Sequence, residues 1–96
     1  MKIRILMTAI ALFLVSASSP SADCYADYRA KSEDPFRLHY GVIQIPDHLC
    51  SQDEAARYIA ERISTEGWVL LVVDSLFGVN GLKQRSEDAG QYLLRY

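Results

Sequence analysis

The sequence has too few basic residues for a nucleic-acid-binding protein. Its 96 residues contain 10 Lys and Arg against 12 Asp and Glu. Without Lys2 and Arg4, which lie in a segment with the features of a leader, eight basic side chains stand against twelve acidic ones, a formal net charge of −4. Nucleic-acid phosphates and anionic lipids both attract clusters of Lys and Arg. The balance therefore argues against both of these partners.

The motifs of several common chemistries are also absent. The chain has no Gly-x-Ser-x-Gly nucleophile elbow and no Cys-x-x-Cys pair. The two glycines of residues 77–81 lack the spacing and the lysine of a phosphate loop. These absences argue against a serine hydrolase, a thioredoxin-like oxidoreductase and a nucleotide-binding enzyme.

Cysteine is scarce, and Cys24 and Cys50 are the two that the chain contains. They allow one internal disulfide, and the alternatives are intermolecular pairing or free thiols. An internal bond would close a loop of about 27 residues and stabilise the fold by about 3.5 kcal/mol through the entropy of the unfolded chain. A small domain often needs such a covalent link, because its core alone stabilises it only marginally.

The first residues predict a secretory signal peptide. Lys2 and Arg4 precede an uncharged, mostly apolar run over residues 5–15, and small and polar residues follow up to 22. The run is shorter than the roughly 20 residues that span a bilayer. We therefore expect a signal peptide over 1–22, cleaved at an uncertain position between 17 and 22, and no membrane anchor after cleavage. Residues 23–96 then form a single small α/β domain in the periplasm or secreted from the cell.

The clearest folding signal is a helix that begins near residue 51. Ser51 and Glu54 have the spacing of a capping box, in which each side chain binds a free backbone N–H at the start of the helix. Ala55, Ile59 and Ile63 recur every four residues and form an apolar stripe. The stripe predicts an amphipathic helix packed against a sheet.

Gly67 is placed to end this helix in a left-handed conformation, and a strand is predicted directly after it. Residues 68–73 read WVLLVV, and six consecutive apolar residues are typical of a strand buried on both faces. The main helix can cover only one of these faces. The other needs a second cover, either an N-terminal helix or a second copy of the protein.

Three further segments complete the predicted elements. Residues 23–33 have helical character, because Cys24 and Tyr28 are four apart and would share a helix face. Residues 36–45 are rich in aromatic and β-branched residues and predict the first strand. Residues 90–96 alternate in polarity and predict a half-buried final strand.

The predicted fold class is α+β, with a small three-stranded sheet, one main helix (βαββ), a short N-terminal helix and one disulfide. A right-handed crossover through the main helix would make the first two strands parallel, and a hairpin would make the last two antiparallel. Gly41 within the first strand indicates a bulge or a close neighbour. Residues 74–88 contain the turn signal Asn80-Gly81, and the polar residues 82–88 are either a short helical turn or an open loop.

Two sets of residues resemble known small proteins. The run from Tyr58 through Gly67-Trp68 into residues 69–71 resembles uncharacterised βαββ domains marked by an alanine-rich helix, Gly-Trp and an apolar strand. Residues 23–28, 37–42 and 89–96 resemble small exported proteins of unknown function from Gram-negative bacteria. The resemblance implies no established activity, so no catalytic residue follows from it.

Four side chains are metal ligands by type, namely Cys24, His39, His48 and Cys50, and two Cys with two His can hold zinc. Their spacing matches no zinc-finger or zinc-ribbon pattern, and export favours the disulfide over the thiolates that zinc needs. The sequence therefore predicts no metal site and no cofactor. A free Cys50 beside His48 would leave thiol chemistry as an alternative.

Six tyrosines are many for a domain of this size. They can fill the core, or some can line a docking surface on an open sheet face. The candidate binding surface consists of Tyr40, Tyr92 and Tyr96, with Arg95 and His39 near its edge.

The residues together predict a small exported protein that binds rather than catalyses. Its partner would be another envelope protein or a second copy of itself. One alternative is a small thiol- or metal-dependent enzyme or redox accessory that uses Cys50 and His48. Another is a structural component of the envelope with no discrete site.

Overall fold

The computed structural model describes residues 24–96, so the predicted signal peptide and its cleavage site lie outside the described residues. This part of the chain contains three strands, two α-helices and three short 3₁₀ turns. In chain order the main elements are β1 (Cys24–Ser32), β2 (Arg37–Ile45), α1 (Gln52–Ser64), β3 (Val69–Phe77) and α2 (Leu82–Ala89). The three-stranded sheet, the single main helix and the α+β class agree with the prediction.

The segment 23–33, predicted as a helix, is instead the central strand of the sheet. The strand order is β2-β1-β3, and β1 pairs antiparallel with both neighbours. Ala26, Tyr28 and Ala30 are fully buried on one face of β1. The spacing of Cys24 and Tyr28 could not separate the two structures, because residues four apart share a face in helices and strands alike.

The predicted parallel pairing of the first two strands is also wrong. The strand predicted over 36–45 is present as β2, but it forms a hairpin with β1 through a turn at residues 33–36. The strand after the main helix is β3, and β1 separates it from β2. The crossover therefore connects the two edges of an antiparallel sheet.

Gly41 has the close neighbour that its position in a strand suggested. The register pairs Gly41 with Tyr28. A Cβ atom on Gly41 would lie 2.6 Å from the Tyr28 hydroxyl oxygen and 2.7 Å from the adjacent ring carbon. Only glycine leaves room for the Tyr28 ring at this point.

The main helix α1 forms as predicted, with one difference at its start. Ala55, Ile59 and Ile63 are buried against the sheet. The Ser51 hydroxyl donates to the Glu54 carboxylate at 3.2 Å and makes no bond to the helix backbone. The two residues of the predicted capping box therefore bond each other through their side chains, and the Ser51 side chain does not cap the helix backbone.

Gly67 ends the helix in the expected left-handed conformation, with φ of 85°. The Trp68 N–H bonds the Ile63 carbonyl at 3.2 Å, and the Gly67 N–H bonds the Ser64 carbonyl at 3.0 Å. These two bonds form a Schellman motif, which satisfies carbonyls that the helix leaves free. The chain turns directly from α1 into β3 at this point.

The predicted disulfide joins Cys24 to Cys50, with 6.2 Å between the two Cα atoms. It ties the first residue of β1 to the loop that precedes α1. The bond therefore connects the central strand to the main helix across 26 positions of sequence.

The final strand predicted over 90–96 is not formed. Residues Gly90–Tyr92 make a 3₁₀ turn, and the following segment touches β2 through a single bridge between Val42 and Leu93. Gly90 and Leu94 have φ of 54° and 55°, which interrupt an extended chain. Of the two alternatives for residues 82–88, the helical one is confirmed, because α2 spans Leu82–Ala89, and residues 74–77 belong to the end of β3.

The two faces of the sheet are covered differently. The main core lies between α1 and one face, which we call the α1 face. Tyr25, Val42 and Ala89 form a smaller core on the opposite face, which we call the α2 face. In residues 24–96, no helix is long and apolar enough to cross a membrane.

Candidate functional site

A buried aromatic cluster surrounds His39 on the α1 face. The imidazole is 7% exposed, and its Nε2 lies 2.9 Å from the Tyr28 hydroxyl oxygen. It stacks on the Tyr92 ring at 3.8 Å between centroids and meets the Trp68 ring edge-on at 4.2 Å. The register of β2 against β1 places His39 here, opposite the small Ala30.

The surroundings of His39 disfavour its charged form. Burial is the main cause, and the nearby charges of Arg37 and Arg95 add to it, which together lower the pKa of His39 to about 4. Burial likewise raises the pKa of the Tyr28 hydroxyl. The Nδ1 atom of His39 is buried and has no hydrogen-bond partner within residues 24–96. The ring is therefore neutral near pH 7.

Four members of the predicted binding surface meet in this cluster. His39 and Tyr92 stack, and Tyr96 lies 6.2 Å from the imidazole. The exposed Arg95 guanidinium lies 5.9 Å and 5.8 Å from the Tyr92 and Tyr96 ring centroids. These rings pack against one another and against the main core. Tyr40 is not among them, because neighbouring positions of a strand point to opposite faces.

Tyr40 belongs instead to a polar cluster on the α2 face, centred on Asp27. The Asp27 carboxylate is buried and accepts three hydrogen bonds. The donors are the Tyr40 hydroxyl at 2.7 Å, the Ser75 hydroxyl at 2.6 Å and Nε of Arg85 at 3.1 Å. One side chain thus links all three strands to α2.

The hydrogen bonds keep Asp27 ionised despite its burial. Burial alone would raise its pKa, but the bonds from Ser75, Tyr40 and Arg85 outweigh burial and hold the pKa below its ordinary value. Burial and the bond to Asp27 raise the pKa of Tyr40 to about 12. The Arg85 guanidinium also lies 3.9 Å from the Phe77 ring centroid. The carboxylate is engaged on all sides, so this cluster anchors α2 to the sheet.

The sequence did not reveal the Asp27 cluster. Its members are far apart in the chain, and only their places in the sheet and on α2 bring them together. One signal in the sequence points to it. If residues 24–30 are read as a strand, Asp27 lies on the face opposite Ala26 and Tyr28, away from the main core.

The structure argues against thiol chemistry at Cys50. Its sulfur is bonded to Cys24, and the chain has no free cysteine. His48 is exposed in a 3₁₀ turn, Asp47–Leu49. Within residues 24–96, no three His, Cys, Asp or Glu side chains are grouped in a way that could hold a metal ion.

The run at residues 68–73, which predicts a strand buried on both faces, belongs to β3, and β3 is open on one face. The α2 face has four half-exposed or exposed aliphatic side chains beyond the end of α2: Leu38, Val69, Leu71 and Val72. We call these four residues the open sheet half. Leu38 is 63% exposed and Leu71 is 51% exposed. The prediction was wrong because β3 is an edge strand and α2 covers only the far end of this face.

Charged side chains of the central strand lie within the open sheet half. Arg29 pairs with Asp74 at 2.8 Å, and Lys31 pairs with Glu33 at 2.8 Å. A shallow depression of about 230 Å³ lies between Leu38 and Leu71, with Arg29 and Tyr40 at its sides. On this face Leu38 lies on one edge strand and Val69 and Val72 on the other, with Lys31 and Arg29 of the central strand between them.

The fold and these surfaces define a small disulfide-linked α+β domain whose sheet is covered on one face and half covered on the other. No family model, no curated protein and no solved structure matches the chain. The resemblance to small exported proteins with a helix-Gly-Trp-strand domain therefore stays a prediction.

Proposed function

We propose that this protein is an exported, non-catalytic binding module that docks a protein partner on the open sheet half. The observation that carries the proposal is the exposure of Leu38, Val69, Leu71 and Val72 on one side of a three-stranded sheet. Exposed aliphatic side chains that share a depression with an arginine and a tyrosine, as Leu38 and Leu71 do with Arg29 and Tyr40, are typical of interaction sites. The partner would be another envelope protein or a second copy of this chain.

The titratable groups support a binding role over a catalytic one. Asp27 is bonded to three donors, and its pKa is lowered, so it is a weak proton acceptor. His39 lies between Tyr92 and Trp68 and is almost inaccessible. Both residues stabilise packing at their positions.

The disulfide supports the proposed location. Disulfides persist outside the reducing cytoplasm, so the Cys24–Cys50 bond is compatible with the periplasm or with secretion. The predicted signal peptide points the same way. The alternative of a thiol- or metal-dependent accessory would require Cys50 to be released from this bond.

The test is crosslinking of the exported protein in its own cell envelope, followed by pull-down and mass spectrometry. The double variant Leu38→Lys/Leu71→Lys places two charges on the open sheet half. Val79→Lys is the matched control, because Val79 is similarly exposed but lies beside α2 at the other end of the structure. We expect the double variant to lose the dominant crosslinked species and the control to keep it. Equal recovery in both would show that this surface does not bind the partner.

A further inference from the structure

The segment that follows α2 covers His39 but is itself loosely held. We call residues 90–96 the strap. None of the strap residues is buried, whereas the His39 and Trp68 side chains beneath them are 7% and 5% exposed. The strap meets β2 through a single bridge, at which the Leu94 N–H donates to the Val42 carbonyl at 2.8 Å. A segment with few buried groups and few main-chain bonds opens more easily than the sheet that it covers.

Aromatic rings make the strap's contact with the α1 face. The Tyr92 ring lies 3.8 Å from the His39 imidazole, between centroids, and the two planes differ by 9°. The Tyr96 ring is 6.2 Å from the same imidazole, and Arg62 of α1 donates to the Tyr96 main-chain oxygen at 2.8 Å and 2.6 Å. Leu93 packs instead in the smaller core on the α2 face. His39 is therefore at the centre of the contact on the α1 face.

The surroundings of His39 suit a neutral ring. Its Nε2 lies 2.9 Å from the Tyr28 hydroxyl oxygen, and its buried Nδ1 has no hydrogen-bond partner within residues 24–96. The charges that act on the imidazole in this part of the chain are both positive, Arg37 on β2 and Arg95 on the strap. A protonated imidazole would therefore be buried beside two like charges, one of which the strap carries. The other groups packed around it are the rings of Trp68, Tyr92 and Tyr96.

We propose that the strap is an acid-released cover, which leaves the α1 face when His39 is protonated while the sheet stays folded. Water reaches the imidazolium once the Tyr92 ring has moved away, and Arg95 leaves with the strap, so opening removes both causes of instability. Because β1 and β2 pair along their whole length, the sheet itself does not need to open. Release uncovers an aromatic surface and the outer edge of β2. This device is separate from the open sheet half, so the inference does not depend on the proposed function.

The direction and size of the pH dependence follow from linkage. The closed form holds the pKa of His39 at about 4, whereas a solvated imidazole has the ordinary value of 6.5. The open form therefore binds the proton first as the pH falls, and the equilibrium constant for opening rises from pH 6.5 down to 4. If opening relieves the whole shift, this constant rises about thirtyfold between pH 8 and pH 5.

The test is native-state amide hydrogen exchange of the oxidised protein between pH 8 and pH 5, with each rate divided by that of an unstructured peptide at the same pH. The Leu94 amide reports opening of the strap, because it is bonded to the Val42 carbonyl. The amides of the central strand β1 report global unfolding. We expect the Leu94 amide to be less protected than the β1 amides at every pH, and its protection to fall at least about tenfold across this range.

His39→Phe keeps a ring beside Tyr92 but cannot be protonated, so the protection of its Leu94 amide should not change with pH. Equal protection of the Leu94 and β1 amides at each pH would overturn the inference, because the strap would then open only when the whole protein unfolds. The inference also fails if the Leu94 amide of the wild-type protein keeps the same protection from pH 8 to pH 5, or if His39→Phe shows the wild-type fall.

A pair of double variants tests the same point without changing the buried ring. Arg37→Gln/Arg95→Gln removes the two exposed charges that act on His39 and should make the fall in protection smaller. Arg57→Gln/Lys83→Gln is the matched control, because it removes two exposed positive charges that are not among those acting on His39. It should keep the wild-type fall, and equal falls in the two double variants would contradict the role given to Arg95.

Discussion

Protonation of His39 should couple the stability of this fold to pH. The folded protein holds the pKa of His39 at about 4, against an ordinary value of 6.5. Because the folded pKa is the lower one, the unfolded chain binds the proton first as the pH falls. The stability that His39 contributes is fully present above pH 6.5 and decreases as the pH falls from 6.5 toward 4. Below pH 4 it does not decrease further.

The size of this effect follows from the shift. A difference of about 2.5 pKa units corresponds to about 3 kcal/mol in total, and about 2 kcal/mol of it is lost between pH 8 and pH 5. Burial and the charges of Arg37 and Arg95 cause the shift. The other groups packed around the ring are the Tyr28 hydroxyl and the rings of Trp68, Tyr92 and Tyr96.

The assay is urea unfolding between pH 8 and pH 5, followed through the fluorescence of Trp68. His39→Phe should be less stable at pH 8, because it leaves the buried Tyr28 hydroxyl without a partner, but its stability should change little with pH. His48→Gln is the control, because His48 is exposed in a turn, and it should keep the wild-type pH dependence. If wild-type and His39→Phe proteins show the same pH dependence, the buried neutral imidazole is not its source.

Three further variants or treatments test the packing of the sheet, each by urea unfolding at pH 7. Gly41→Ala should lose about 1–3 kcal/mol, because the new Cβ would overlap the Tyr28 ring; an unchanged midpoint would mean that the ring moves freely. Asp27→Asn should lose about 2 kcal/mol, because the Arg85 guanidinium loses its ionic partner, while Glu33→Gln, at an exposed ion pair, should be nearly neutral. Reduction of the disulfide should lower stability by about 3.5 kcal/mol, and thiol titration of the folded, unreduced protein should detect no free thiol.

The candidate site was only partly predictable from the sequence. His39, Tyr92, Tyr96 and Arg95 were grouped from their residue types, and the structure brings these four together. It places them in a packed cluster beside the main core, whereas the exposed surface consists of aliphatic residues. Aromatic type alone does not indicate exposure, because tyrosine fills cores as well as interfaces.

The elements that the sequence determined by itself depend on neighbours in the chain. The stripe on α1 repeats every four residues, and Gly67 adopts the left-handed conformation that its position required. The cysteine count allowed only one internal disulfide, and the predicted export favoured this bond over free thiols. Each of these features is set by local geometry or by simple counting.

Only the tertiary structure decided the other features, because they depend on contacts between residues that are distant in the sequence. Residues 24–32 carry a spacing that suits a helix or a strand, and pairing with β2 and β3 on both sides makes them a strand. Residues 90–96 alternate like a strand, but Gly90 and Leu94 interrupt the extended chain, and the rings of Tyr92 and Tyr96 pack against His39 instead. The run at 69–73 is apolar on both faces, and only its place at the sheet edge shows that one face is open.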